Sequence, residues 1–165
     1  MKKFKYFLIT FIIVVLDQFS KYAIRNWVDF GPGKIIKVTE NFFWLTWVQN
    51  TGAAFSFSFG SEGLNRIIFI VVSLLAVGLI SYYIIKSESK IEKYALSLVL
   101  GGAMGNLLDR IFIGSVTDFI WWDFPDIFMY RWPVFNIADS SIVAAIVLMI
   151  GYYIFIVKSD KTEGR

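Results

Sequence analysis

The chain has 165 residues, of which 57% are hydrophobic and only 18% charged, a balance too apolar for a soluble domain of this length and suited to a bilayer. Its net charge of +3 is as readily a matter of membrane topology as of an acidic partner, so no nucleic-acid partner is expected. The absence of cysteine and histidine excludes disulfides, thiolate zinc sites, cysteine nucleophiles, Ser-His dyads and the HExxH helix. Carboxylates, lysine, arginine, hydroxyls and amides remain for any catalysis, and no metal or cofactor is expected.

Hydropathy predicts four membrane spans, at about 6–27, 67–85, 94–113 and 140–157, each close to the ~20 residues that a hydrocarbon core needs. The first follows Lys2, Lys3 and Lys5 and resembles a secretory signal peptide, but Asp17-Gln18 stands where a small-residue cleavage site is needed. It is therefore read as a retained anchor. The 28–66 segment opens on a Gly31-Pro32-Gly33 turn, then two β-rich stretches at 34–39 and 42–49. With Phe42, Phe43, Trp44 and Trp47 they predict a small antiparallel sheet at the membrane surface. A second turn at Asn50-Thr51-Gly52 leads into 53–57, and 114–139 is the other long connection.

Basic residues gather before the first span, between the second and third (Lys86, Lys90, Lys93) and after the fourth (Lys158, Lys161, Arg165). The positive-inside rule makes these regions cytoplasmic and puts 28–66 and 114–139 outside. The expected architecture is a single membrane domain over 1–165, an all-α bundle of four transmembrane helices with a small extracytoplasmic antiparallel sheet.

The strongly polar residues fall in the outer half. Asp17 lies roughly 18 Å into the first span at about 1.5 Å per residue, with Lys21 one turn further on the same face. Gly102, Asn106 and Arg110 share a face of the third span beside Asp109, and Asn136 and Asp139 stand at the entrance to the fourth. Charges inside a membrane either pair or line a functional cavity. Asp17 and Lys21 fit a neutralising ion pair, and Gly101 and Gly105 fit close helix packing. Asp109 and Arg110 are as well read as interfacial charges as functional ones, Asp139 by itself reads as a helix N-cap, and Asn136 suits the same task. Asp118 reads locally as a loop acid, and Asp123 and Asp126 as solvated interfacial residues.

Five blocks in order, Asp17-Gln18-Phe19-Ser20-Lys21, Asn50-Thr51-Gly52-Ala53-Ala54-Phe55, Gly101 to Arg110, Val116-Thr117-Asp118-Phe119-Ile120 and Phe135-Asn136-Ile137-Ala138-Asp139-Ser140, resemble the lipoprotein signal peptidases (signal peptidase II). These are bacterial membrane enzymes that remove signal peptides from lipidated prolipoproteins. The resemblance covers nearly the whole chain. It implies an aspartic endopeptidase with Asp118 and Asp139 as the catalytic pair, acting before a diacylglyceryl-modified cysteine. Asn50, Asn106, Arg110 and Asn136 match positions that contact substrate and support the aspartates, whereas Asp17, Lys21 and Asp109 match positions tied to folding. It further implies a multi-pass protein of the bacterial cytoplasmic membrane with both termini cytoplasmic, an active site at the outer face, membrane lipids as partners and globomycin-type peptide antibiotics as inhibitors.

Two carboxylates held about 3 Å apart share one proton, which supplies both a base and an acid. Two other readings compete. One is a Ser-Lys hydrolase with Lys21 as base and Ser20 or Ser56 as nucleophile. The other is a small ion- or proton-coupled transporter, which fits less well because the polar groups favour one side.

Overall fold

The computed structural model describes residues 3–29, 34–40, 42–52, 60–122 and 132–157. The glycine-proline turn at 31–33, the 53–57 stretch, Asp123, Asp126, Lys2 and the basic residues beyond 157 lie outside the described residues. Four helices carry the fold: α1 (Phe4–Asn26), α2 (Glu62–Lys86), α3 (Lys90–Phe112) and α4 (Ile137–Tyr152), the last continued by a π-helical turn over Tyr153–Val157. All four are long and apolar enough to cross a membrane.

All four helices begin earlier than hydropathy predicts, and in three of them polar caps start the helix outside the apolar window. The Ser61 hydroxyl accepts from Leu64 N, the Ser89 hydroxyl from Glu92 N, and the Asn136 side chain from Asp139 N, each satisfying an orphan amide of the first turn. Residues 87–89 make the tight connection from α2 to α3, where Ser87 Oγ donates to Glu92 at 2.6 Å. On the same end of the bundle Lys3 Nζ donates to Ile85 O and Lys5 Nζ to Tyr94.

The central helix is α3, which packs on α1, α2 and α4. Its glycines make this close approach available. A Cβ at Gly101 would lie 2.7 Å from Ile13 Cβ, one at Gly102 2.5 Å from Ala138 O, and one at Gly105 2.5 Å from Asp17 Oδ2. The glycine spacing is thus a packing device, with Gly101 and Gly105 facing α1 and Gly102 facing α4. By contrast α2 fully buries only Asn65 and Ile84 and packs mainly on α3 through a half-buried face that includes Val77 and Ile80, leaving the other faces exposed. Tyr6, Ile84 and Leu100 form a core cluster at one end of the bundle, and Ile24 with Phe119 another beneath the sheet.

The sheet is three-stranded and antiparallel in the order β1 (Ile36–Lys37), β2 (Phe43–Asn50), β3 (Val116–Trp122). The third strand corrects the sequence reading, which treated 114–139 as a connection and Asp118 as a loop acid. Hydropathy gave no sign of it because Val116–Trp122 finds its ladder partner, β2, far away in sequence. The chain enters β3 through a built turn. The Arg66 guanidinium of α2 donates to Arg110 O and Ile111 O at the end of α3, and Gly114 then takes a φ of 95°, a left-handed cap that favours glycine.

Candidate active site

Asp118 owes its position to strand pairing. In the antiparallel register Val48 faces Asp118 and Asn50 faces Val116, so side-chain alternation places Asn50 and Asp118 on one face of the sheet, diagonal to each other. Asn50 Nδ2 accordingly donates to Asp118 Oδ2 at 3.1 Å. Leu45 pairs with Ile120 and Val48 with Asp118, so β2 carries one extra residue there. Such a bulge bends a strand and re-aims its side chains.

Asp139 arrives from another direction. Phe135 exchanges backbone hydrogen bonds with Ile120, its N–H donating to Ile120 O at 3.0 Å and its carbonyl accepting from Ile120 N at 2.8 Å. This bridge holds the chain against the free edge of β3 immediately before α4 starts. Asn136 is the N-cap of α4 and Asp139 sits one turn in, closing a capping box. Hence the local reading of Asp139 as the cap itself is corrected: Asn136 caps, and Asp139 is its reciprocal partner.

Both carboxylates meet on Asn136. Its Nδ2 donates to Asp118 Oδ1 at 2.7 Å, its backbone N–H donates to Asp139 Oδ2 at 3.3 Å, and its Oδ1 accepts from Asp139 N at 2.9 Å. Asn106 on α3 holds the other side, donating from Nδ2 to Asp139 Oδ1 at 2.8 Å. Groups that can only donate fix the orientation of both amides. The Lys21 ammonium donates to Asn106 Oδ1 at 2.8 Å, which turns the Asn106 NH2 toward Asp139. The Asp139 backbone N–H does the same for Asn136. All four carboxylate oxygens therefore accept one N–H each.

Asp118 is 3% exposed and Asn136 fully buried. Burial, and next the negative charge of Asp139, push the Asp118 carboxyl up to about 6, against the opposing pull of the Asn50 and Asn136 hydrogen bonds and the Lys21 charge. The Asp118 carboxyl thus keeps its proton above the usual carboxylate range, up to about 6.

Arg110, one turn beyond Asn106, donates to Gly52 O at 3.1 Å and lies over the Phe69 ring at 5.1 Å, so its cation stands between the turn after β2 and α2. Asp17, Lys21 and Asp109 assemble behind the two aspartates rather than beside them. Lys21 Nζ lies 2.8 Å from Asp17 Oδ2 and 3.5 Å from Asp109 Oδ2, all three side chains fully buried. Asp17 Oδ1 also accepts from Ala138 N at 2.9 Å, so α1 supplies an acid to the positive end of α4. With these partners Lys21 is no free base, which removes the ground for the Ser-Lys reading.

Sequence reasoning passed over Arg25 and Thr117. Arg25 stands two turns after Asp17 on the face that carries Lys21, a spacing that marks it as a possible member of the cluster. Thr117 gives no such sign, since one threonine in a β-rich stretch is ordinary. Among the described residues no group of three or more His, Cys, Asp or Glu side chains is arranged to hold a metal ion.

Known proteins similar in sequence and in structure match nearly the whole chain. The family model described as signal peptidase (SPase) II matches residues 9–155. The chain is 40% identical over 161 residues to the lipoprotein signal peptidase of Francisella tularensis subsp. novicida, covering 96% of each chain. It is also 40% identical to that of Cellvibrio japonicus over 163 residues, covering 97% of this chain and 91% of the relative. A bacterial membrane enzyme solved by the in meso method at 2.3 Å resolution superposes with a TM-score of 0.78 at 30% identity, over 98% of this chain and 92% of that one. A second, at 1.9 Å, gives 0.77 and 31% over 92% and 94%. A four-helix membrane bundle with a three-stranded sheet, matched in sequence and in structure over nearly its whole length, belongs to the signal peptidase II family.

Proposed function

We propose that this member of the signal peptidase II family is an aspartic endopeptidase in which Asp118 and Asp139 hydrolyse the bond before the diacylglyceryl-modified cysteine of a prolipoprotein. The observation that carries the reading is the joint grip of Asn136 on two carboxylates that belong to different elements. Family membership leaves the transporter alternative without support.

In the proposed reaction, the ionised Asp139 takes a proton from a water as that water attacks the scissile carbonyl carbon. Asp118, which keeps its proton up to about 6, donates it to the developing oxyanion. Collapse of the tetrahedral gem-diol breaks the C–N bond as the leaving amine takes a proton from Asp139 and a hydroxyl of the gem-diol returns its proton to Asp118, restoring one proton between the two acids. Asn50, Asn106 and Asn136 hold the carboxylates, and Arg110 is the cation available to a substrate carbonyl. The Asp17, Lys21 and Asp109 cluster keeps α1, α3 and α4 in register.

The site lies at the opposite end of the bundle from Lys3, Lys5 and the connection at 87–89. We therefore place the termini in the cytoplasm and the dyad at the outer face of the bacterial inner membrane. At that depth the acyl chains of a substrate stay among membrane lipids while its peptide reaches the aspartates. Globomycin-type peptides are proposed to inhibit by occupying the same site.

The test is cleavage of a lipidated precursor in detergent or liposomes by Asp118→Asn and Asp139→Asn. Each is expected to lose activity by three or more orders of magnitude while staying inserted and folded. Wild-type cleavage by either variant refutes the dyad.

A further inference from the structure

Thr117 is held by all three of its polar groups. Its N–H donates to Asp109 Oδ2 at 2.8 Å, its carbonyl accepts from Asn136 Nδ2 at 3.4 Å, and its Oγ1 accepts from Arg25 at 2.7 Å. The side chain is fully buried, as is Asp109 apart from 1%. Arg25 reaches Thr117 from the last turn of α1, with its guanidinium also 3.4 Å from Asp109 Oδ1 and only 16% of its side chain exposed.

Successive side chains on a strand point to opposite faces. The contacts on the Thr117 side chain therefore restrain β3 from the side away from Asp118, while Asn50 and Asn136 hold the Asp118 carboxylate itself. A strand gripped at both faces has little freedom to slide or tilt. The residue it carries is then fixed to within the few tenths of an ångström that a working acid-base pair demands. The Arg25 cation adds charge-assisted character to the bond with Thr117. It also neutralises Asp109, which Lys21 alone does not fully serve at 3.5 Å.

Resting on the assignment of Asp118 as catalytic, we propose that Arg25 and Thr117 form a positioning pair for this aspartate, acting through the backbone of β3 without touching substrate. Removing the hydroxyl in Thr117→Val is then expected to lower kcat about tenfold with KM within about twofold, the loss of one charge-assisted bond near the reacting groups. Thr117→Ser keeps an Oγ and is expected to stay within about twofold of wild type. Arg25→Met removes the same contact and also the ion pair with Asp109, so it is expected to lower kcat at least as much as Thr117→Val, and the double variant to be no slower than Arg25→Met alone.

The experiment measures kcat and KM on a lipidated precursor for these variants, with thermal unfolding in the same detergent and Asp118→Asn alongside. A wild-type kcat in Thr117→Val, equal losses in Thr117→Ser and Thr117→Val, or losses that multiply in the double variant overturn the pair. Inactivity of Asp118→Asn beside a wild-type Thr117→Val rejects the positioning pair alone. Full activity of Asp118→Asn overturns the dyad and the pair together.

Discussion

Replacing Asp118 by Asn is expected to change stability with pH as well as activity, and the sign follows from burial. The carboxyl rises from its ordinary 3.8 to about 6 in the folded protein. Between those values the unfolded chain releases a proton that the folded chain still holds, so the wild type loses stability as pH rises through this window. The full difference corresponds to about 3 kcal/mol at 1.36 kcal/mol per pH unit, an upper figure for a group coupled to Asp139. The substitution removes that titration. It also presents one amide oxygen and one NH2 to two donors, Asn136 Nδ2 at 2.7 Å and Asn50 Nδ2 at 3.1 Å, so one contact is lost at about 1 kcal/mol whatever the pH. Asp118→Asn is therefore expected to be about 1 kcal/mol less stable than wild type near pH 4 and about 1 to 2 kcal/mol more stable near pH 8. Chemical or thermal unfolding of both proteins in one detergent across pH 4–8 measures the difference, in which the other titrating groups largely cancel. A difference that does not vary with pH refutes the claim that Asp118 is a buried acid held up by its neighbour.

Asn136→Ser separates capping from catalysis, since serine is an equally good N-cap but lacks the NH2 that reaches Asp118. The cap is kept, so the stability loss is expected to be limited to about 1 to 3 kcal/mol for the buried acceptors left without the NH2, Asp118 Oδ1 and Thr117 O, while kcat falls roughly tenfold, the range of a lost hydrogen bond. Parallel activity and melting assays check both halves. Lys21→Met leaves Asp17 and Asp109 buried without their shared cation and is expected to destabilise by about 3 to 5 kcal/mol. The double variant Asp17→Asn with Lys21→Met recovers part of that loss in the same unfolding measurement. Gly105→Ala pushes a methyl to within 2.5 Å of Asp17 Oδ2, whereas at Gly78 nothing lies within 4 Å. Gly105→Ala is expected to lower the melting temperature. Gly78→Ala is expected to leave it unchanged or raise it by the equivalent of up to about 1 kcal/mol.

The membrane class, the four spans and the glycine packing of α3 were legible in the sequence because each depends on local pattern, whether apolar length, charge asymmetry or small-residue spacing. The ion pair of Asp17 and Lys21 was legible for the same reason, since one helical turn separates them. The aspartate pair was not legible from local pattern. Taken alone, Asp118 looked like a loop acid and Asp139 like a helix cap, and only the family resemblance selected them.

Tertiary structure decided what local pattern leaves open. Long-range pairing of β2 with β3 turns Asn50 toward Asp118, and the bridge between Ile120 and Phe135 delivers Asn136 and Asp139 to the same place. Donor-only groups then fix how each amide faces the carboxylates. Strand register, a bulge and amide orientation are relations between residues far apart in the chain, and no single stretch of sequence contains both partners. The sequence by itself determined which solvent the chain occupies and where its helices run. The fold determined that two unremarkable aspartates share one buried asparagine, where burial and the charge of Asp139 raise the Asp118 carboxyl to about 6.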